Sequence, residues 1–234
     1  MIAEDIAKGG LAVIKGVIFD FDGTLFDSMH LWKNLGETYL AAKGVAAEPG
    51  LWQALKPLGL YQSAVYLKEK YALPLTADEV VDEINRTVDL AYFEEVLPKP
   101  GIPETLRFLH ERGVPMCIAS LTDTYQLEAA LTRCGLRDYF TAVLSCAGRR
   151  INKTDPLIFR EALAVLGTDK AATLVAEDSP TALRTAKDDG FLTLGVFDEN
   201  EERQADLRAA ADVYVRDFTE WHAVWAALGG EGAP

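Results

Sequence analysis

The chain has 234 residues, 49% of them hydrophobic and 25% charged, with a formal net charge of −13. That length can bury one large core or a core with an insert, and the composition is ordinary for a globular protein. The acidic balance argues against nucleic acid or an anionic membrane as a partner, and no apolar run nears the ~20 residues that span a bilayer.

Residues 1–14 read as an extension before the first strand. MIAEDIAKGG carries acids and no long apolar stretch, so it does not read as a secretory signal, and a cytoplasmic protein is expected. Cys117, Cys134 and Cys146 are odd in number with no CxxC spacing, and Cys117 and Cys146 lie in strand-like apolar runs, which favours buried free thiols over a disulfide or a metal site.

The first strong element is residues 17–27, VIFDFDGTLFD. Val17, Ile18 and Phe19 suit a buried strand that stops at two carboxylates, Asp20 and Asp22. Both acids can serve one centre only if the chain curls after Asp20, and Gly23 permits that curl. Asp-x-Asp-Gly alone also describes many solvated turns. A calcium loop is excluded, because the glycine comes fourth rather than sixth and Leu31 stands where the bidentate glutamate belongs.

Helical texture follows. Leu31, Trp32, Leu35, Tyr39 and Leu40 recur at helical spacing, with Gly44 as a stop. A weaker helix fits residues 60–71. Val80, Val81, Ile84, Val88, Ala91 and Tyr92 form an apolar stripe behind a capping box of Thr76 and Glu79. Nothing from 28 to 96 reads as a strand. LPKPGIP, residues 97–103, is a hinge into alternating texture. Helices are expected at 104–112, 123–134, 156–166, 180–189 and 219–228, and strands at 114–119, 142–146, 172–176, 192–197 and 212–216. Such alternation implies a parallel sheet covered on both faces. No G-x-G-x-x-G follows a strand, so a dinucleotide fold is not expected.

Three more strand ends carry chemistry. The strand VPMCIA ends at Ser120, whose hydroxyl and following N–H groups, beginning with Leu121, could bind a phosphate oxygen. Asp123 is available to cap the next helix. Lys153 stands in NKTDPLIF. ATLVAEDSP ends a strand on Glu177 and Asp178, adjacent acids that repel unless a cation sits among them, and Pro180 opens a helix.

DFDGTLFDS, Ser120, Lys153 with Pro156 and Phe159, and the Glu177–Asp178 pair together resemble, in order, the four motifs of the haloacid dehalogenase-like (HAD) superfamily. Departures are Leu121, Asn152, Thr154 and Ala182. The resemblance implies a Rossmann-like α/β core with strand order 5-4-1-2-3, formed by residues 1–27 and 97–234, and an inserted helical cap, residues 28–96. It further implies a Mg²⁺-dependent phosphatase acting on a small phosphorylated metabolite. Asp20 would be the nucleophile, Asp22 the acid/base, and Gly23, Ser120, Leu121 and Lys153 the phosphate binders. The metal ligands would be Asp20, Asp22 through its carbonyl, Glu177 and Asp178. A monomer or weak homodimer is expected.

A β-phosphoglucomutase-like phosphomutase is the rival enzyme, although Trp32 stands where such mutases carry histidine and His30 comes two positions early. A catalytically silent binding protein on the same scaffold is the rival of another class; the presence of both Asp20 and Asp22 argues against it. A dehalogenase would need no acid at Asp22. Trp32 itself reads either as packing with Leu35 and Tyr39 or as a flat wall for the substrate.

Overall fold

A computed structural model describes residues 14–149 and 151–229. Of the expected N-terminal extension, residues 1–13 lie outside the described part, while Ile14 is buried. Six parallel strands form one sheet: β1 Gly16–Phe19, β2 Met116–Ser120, β3 Ala142–Ser145, β4 Thr173–Glu177, β5 Leu192–Val196 and β6 Val213–Val215. Their order is β3-β2-β1-β4-β5-β6. This is the implied 5-4-1-2-3 arrangement with β6 added beyond β5.

β1 is the central strand, and its four residues are all buried. Val17 and Phe19 enter the larger apolar cluster while Ile18 enters a second one. That split is the period-two alternation of a strand covered on both sides. Helices α5 Ile102–Glu111, α6 Thr124–Arg133, α7 Leu157–Leu166, α8 Pro180–Asp188, α9 Gln204–Ala210 and α10 Trp221–Ala227 belong to this part of the chain. Trp221 and Trp225 are buried, and the three cysteines are free thiols.

Between β1 and α5 the chain is helical: α1 Met29–Ala42, α2 Leu51–Leu55, α3 Leu60–Lys70 and α4 Ala77–Leu90, followed by a π-helical turn over Ala91–Glu95. The box that opens α4 is formed. Thr76 Oγ1 accepts from the Glu79 N–H at 3.2 Å, and Glu79 accepts from the Thr76 N–H at 2.7 Å. Helix α2 and helix α9 go beyond the sequence expectation. Each is shorter than two full turns, too short for an apolar period to declare itself, and each is fixed by one or two buried residues such as Leu51 or Leu207.

The connections into and out of the helical segment run side by side. The Asp27 N–H donates to Leu97 O at 3.0 Å and the Lys99 N–H to Leu25 O at 2.8 Å. Phe21 and Phe26 stack beneath this crossing, with ring centroids 4.3 Å apart. Gly101, at φ +82°, turns the second connection into α5; a Cβ there would lie 2.2 Å from the Phe218 carbonyl carbon. No helix among the described residues is long and apolar enough to cross a membrane.

Candidate active site

The C-terminal ends of β1, β2 and β4 converge on one cavity, as parallel sheets arrange their ligand sites. The Asp20 N–H continues the β1–β4 ladder by donating to Ala176 O at 2.9 Å. The chain then curls through Gly23, at φ +77°, whose N–H donates to Phe26 O at 2.9 Å. Gly23 also admits a close neighbour: a Cβ there would sit 2.4 Å from Asp178 Oδ2. Only glycine lets the first acidic loop lie against the last one.

Asp20, Glu177 and Asp178 are all buried, and each offers a carboxylate oxygen within 4.8 Å of the others. Lys153 reaches them from the loop before α7, donating from Nζ to Asp20 Oδ1 and, at 2.7 Å, to Glu177 Oε1. The second Glu177 oxygen accepts from the Ser179 N–H at 3.1 Å. The Lys153 ammonium therefore bonds two of the three carboxylates, Lys99, itself paired with Asp198, adds its pull on Asp178, and the surplus is negative. Burial, reinforced by Glu177, pushes the Asp20 carboxyl up to about 8 against the pull of Lys153. Burial, then Asp20 and Glu177, likewise push Asp178 well above the usual carboxylate range. Burial disfavours the Lys153 ammonium, yet the two carboxylates outweigh it and hold its pKa above that of an ordinary lysine. An all-oxygen, electron-rich, buried donor set of this kind suits a hard divalent cation.

Asp22 has a different setting. Its Oδ1 accepts from Ser28 Oγ at 2.6 Å and from the Tyr92 hydroxyl, and its Oδ2 accepts from Thr122 Oγ1 at 2.6 Å. Among the described residues, no lysine or arginine forms an ion pair with this carboxylate. Hydroxyls both donate and accept, so the same cradle accommodates the carboxylate with or without a proton. Tyr92 is itself held by the Trp32 indole N–H at 2.8 Å.

Ser120 is fully buried at the end of β2, and its Oγ accepts from the Thr122 N–H at 3.1 Å, which leaves its own hydrogen for another acceptor. Leu121 lines the cavity beside Thr122. Asp123 stands at the N-terminus of α6 without capping it; its carboxylate instead accepts from Asn85 of α4 at 3.2 Å. Asn152 and Thr154, which depart from the HAD pattern, make a local turn in which Asn152 Oδ1 accepts from the Thr154 N–H at 3.0 Å.

Sequence reasoning does not single out Ser28, Tyr92, Thr122 or Lys99 for a role. Lys99 lies in the outgoing connection and is buried, donating to Phe197 O at 2.8 Å and to Asp198 Oδ2 at 2.9 Å. A conspicuous lysine in a Pro/Gly hinge is its only sequence signal. The three hydroxyl residues carry none, because their partner Asp22 is 6, 70 and 100 residues away.

The cavity over these groups has a volume of about 180 Å³ and is walled by the sheet ends below and by α1, α3 and the residues between α2 and α3 above. His30 is outside it, exposed and lining a separate depression with Asp27 and Val96.

A sequence model described as haloacid dehalogenase-like hydrolase matches residues 14–190. Hexitol phosphatase B of Escherichia coli (strain K12) is 30% identical over 213 residues, covering 88% of this chain and 94% of the relative. Phosphoglycolate phosphatase of Neisseria gonorrhoeae (strain ATCC 700825 / FA 1090) is 29% identical, covering 78% and 80%. Among solved structures, CbbY from Rhodobacter sphaeroides in complex with phosphate superposes with a TM-score of 0.75 at 22% identity, covering 88% of this chain and 96% of that one. With the ends of β1, β2 and β4 and the Lys153 loop meeting at one cavity, and a family match over most of its length, the chain belongs to the haloacid dehalogenase-like hydrolases.

Proposed function

We propose that this hydrolase is a Mg²⁺-dependent phosphatase that cleaves a small phosphomonoester through an aspartyl-phosphate on Asp20. The observation that carries the reading is the division of labour between the two acids of the first motif. Asp20 lies against Lys153 among three carboxylates, whereas Asp22 is held apart by three hydroxyls. Phosphatase relatives similar over most of the chain support the same reading.

Asp20, Glu177 and Asp178, with the Asp22 carbonyl, would hold the ion. Mg²⁺ held there would neutralise the carboxylate surplus and the charge of the phosphate, so that an anionic nucleophile could approach an anionic ester. Asp20 attacks phosphorus and the ester oxygen departs, splitting hydrolysis into two steps. Asp22 gives its proton to that oxygen, then removes one from the water that attacks the phosphorylated Asp20. Lys153 and Ser120 hold the non-bridging oxygens, with the Leu121 N–H beside them and Gly23 shaping the loop beneath. Residues 28–96 act as a cap that shields the reacting centre from bulk water.

The phosphomutase alternative has less support. The one histidine near the expected position, His30, lies outside the cavity, and Trp32 faces it instead. The test is hydrolysis of p-nitrophenyl phosphate with Mg²⁺ and with chelator: activity should vanish on chelation and return with Mg²⁺. Full activity in metal-free buffer would overturn the metal assignment.

A further inference from the structure

From the phosphatase reading, the geometry points to a substrate class: a phosphomonoester whose leaving group is a flat, largely apolar body rather than a polyol. The inference rests on the roof of the cavity. Trp32, Trp52, Leu55, Leu58 and Leu60 all line it, and all five remain partly exposed to the space above Asp20. Large apolar side chains held half-open around a reacting centre gain from contact with an apolar ligand, which removes their remaining surface from water.

The polar groups of the roof are few, and they are engaged. The Trp32 N–H is donated to Tyr92 at 2.8 Å, so what Trp32 offers the cavity is its ring. The Lys56 ammonium is tied to Glu201 of the core at 2.6 Å and lies 5.6 Å from the centre of the Trp52 ring. Arg203 also spends its guanidinium on Glu201 and on Thr181 Oγ1 at 3.3 Å. What remains on the cap side is one mostly buried hydroxyl, that of Ser63. A polyol placed here would lose the water bound to several hydroxyls and find one partner, which is how apolar sites reject such groups. The rest of the polar lining, Thr122, Lys153 and Ser179 among it, is on the core side, where the phosphate belongs.

Size agrees. One water needs roughly 10–15 Å³ of such space, and the cavity holds about 180 Å³. The phosphate over Asp20 and Lys153 takes part of that space, and the part lined by Trp32, Trp52 and Leu60 has room for an aromatic ring.

The experiment compares two primary alkyl esters of similar intrinsic reactivity, 2-(2-naphthyl)ethyl phosphate and sorbitol 6-phosphate, with Mg²⁺ and the full chain. The expected result is a kcat/KM higher for the naphthyl ester by roughly tenfold or more. Trp52→Ala and, separately, Leu58→Asn should each shrink that ratio, with melting temperature recorded to show that the variant is folded. Equal values, or a preference for the sorbitol ester, would overturn the inference and leave the phosphatase reading standing. No turnover of either ester or of p-nitrophenyl phosphate would overturn both.

Discussion

Tyr92, in the π-helical turn that leaves the helical segment, donates its hydroxyl to the Asp22 carboxylate 70 residues earlier in the chain, and the Trp32 indole N–H donates to that hydroxyl in turn. The orientation of Asp22, the proposed acid/base, is thus tied to two points of the helical segment at once. A side chain that must face the departing oxygen cannot wander by an ångström without cost.

Tyr92→Phe keeps the buried ring and deletes the hydroxyl. It should lower kcat for an alkyl phosphate roughly tenfold, in line with modest general acid–base contributions, while KM changes little. The orphaned Trp32 N–H should cost about 1–3 kcal/mol of stability. An unchanged kcat with alkyl substrates would show that Asp22 needs no support from the cap. Because alkoxide leaving groups need the proton more than phenolates do, the loss should be smaller with p-nitrophenyl phosphate.

Trp32 is neither fully packed nor free. It is half-buried, it lines the cavity, and it contacts the Tyr92 ring edge-on at 6.4 Å. Trp32→Ala should therefore destabilise by less than the roughly 3–5 kcal/mol of a fully buried tryptophan and should also reduce kcat/KM. Thermal unfolding and kinetics on the same sample decide this; a large fall in melting temperature with unchanged substrate preference would reduce Trp32 to a packing residue.

The crowding of carboxylates gives a stability profile with a definite sign. An unfolded aspartate loses its proton near pH 4, whereas Asp20 in the folded, metal-free protein keeps it until about 8. Between those values the folded state binds more protons than the unfolded one, so metal-free stability should fall as pH rises from about 4 to about 8 and level off above. Asp178 shifts in the same direction. Mg²⁺ selects the ionised carboxylates, so its stabilising effect should grow across the same interval. Melting temperatures with and without Mg²⁺ from pH 5 to 9 test both; a metal-free protein that gains stability through that range would contradict the charge arrangement.

Much of this is legible in the sequence, and the missing part has a physical reason. The apolar runs that stop at Asp20, Ser120 and Glu177 announce the parallel sheet and the strand ends that meet at the cavity, because a buried strand delivers polar residues only at its end. Helix α4 announces itself through its box and its stripe. Five-residue α2 has no room for a period, and α9, QADLRAA, offers little more than Leu207 and Ala210. The Asp22 cradle is illegible for another reason: serine, threonine and tyrosine hydroxyls have many possible partners, and only the folded chain brings Ser28, Tyr92 and Thr122 to one carboxylate. Asp123 shows the converse error, a residue placed as a cap that a tertiary partner, Asn85, claims instead.

Lys153→Met removes the ammonium that bonds Asp20 and Glu177. With its countercharge gone from a buried cluster, the metal-free protein should lose about 3–5 kcal/mol, and Mg²⁺ should restore part of that loss. Turnover should stay at least roughly a hundredfold below normal even at saturating Mg²⁺, since the ion would not replace the donor that Lys153 is proposed to offer the transferring phosphoryl group. Near-normal turnover by the folded, Mg²⁺-saturated variant would contradict the role given to Lys153.

The central claim is that phosphate passes through Asp20, and trapping the intermediate tests it most directly. The enzyme is quenched during turnover of p-nitrophenyl phosphate, treated with borohydride, which reduces an acyl phosphate to the alcohol, and digested for peptide mass analysis. The account predicts homoserine at position 20 in the wild-type protein, more of it in Asp22→Asn, and none in Asp20→Asn. Reduction at another carboxylate, or none while hydrolysis proceeds and a known acyl phosphate is reduced alongside, would contradict it.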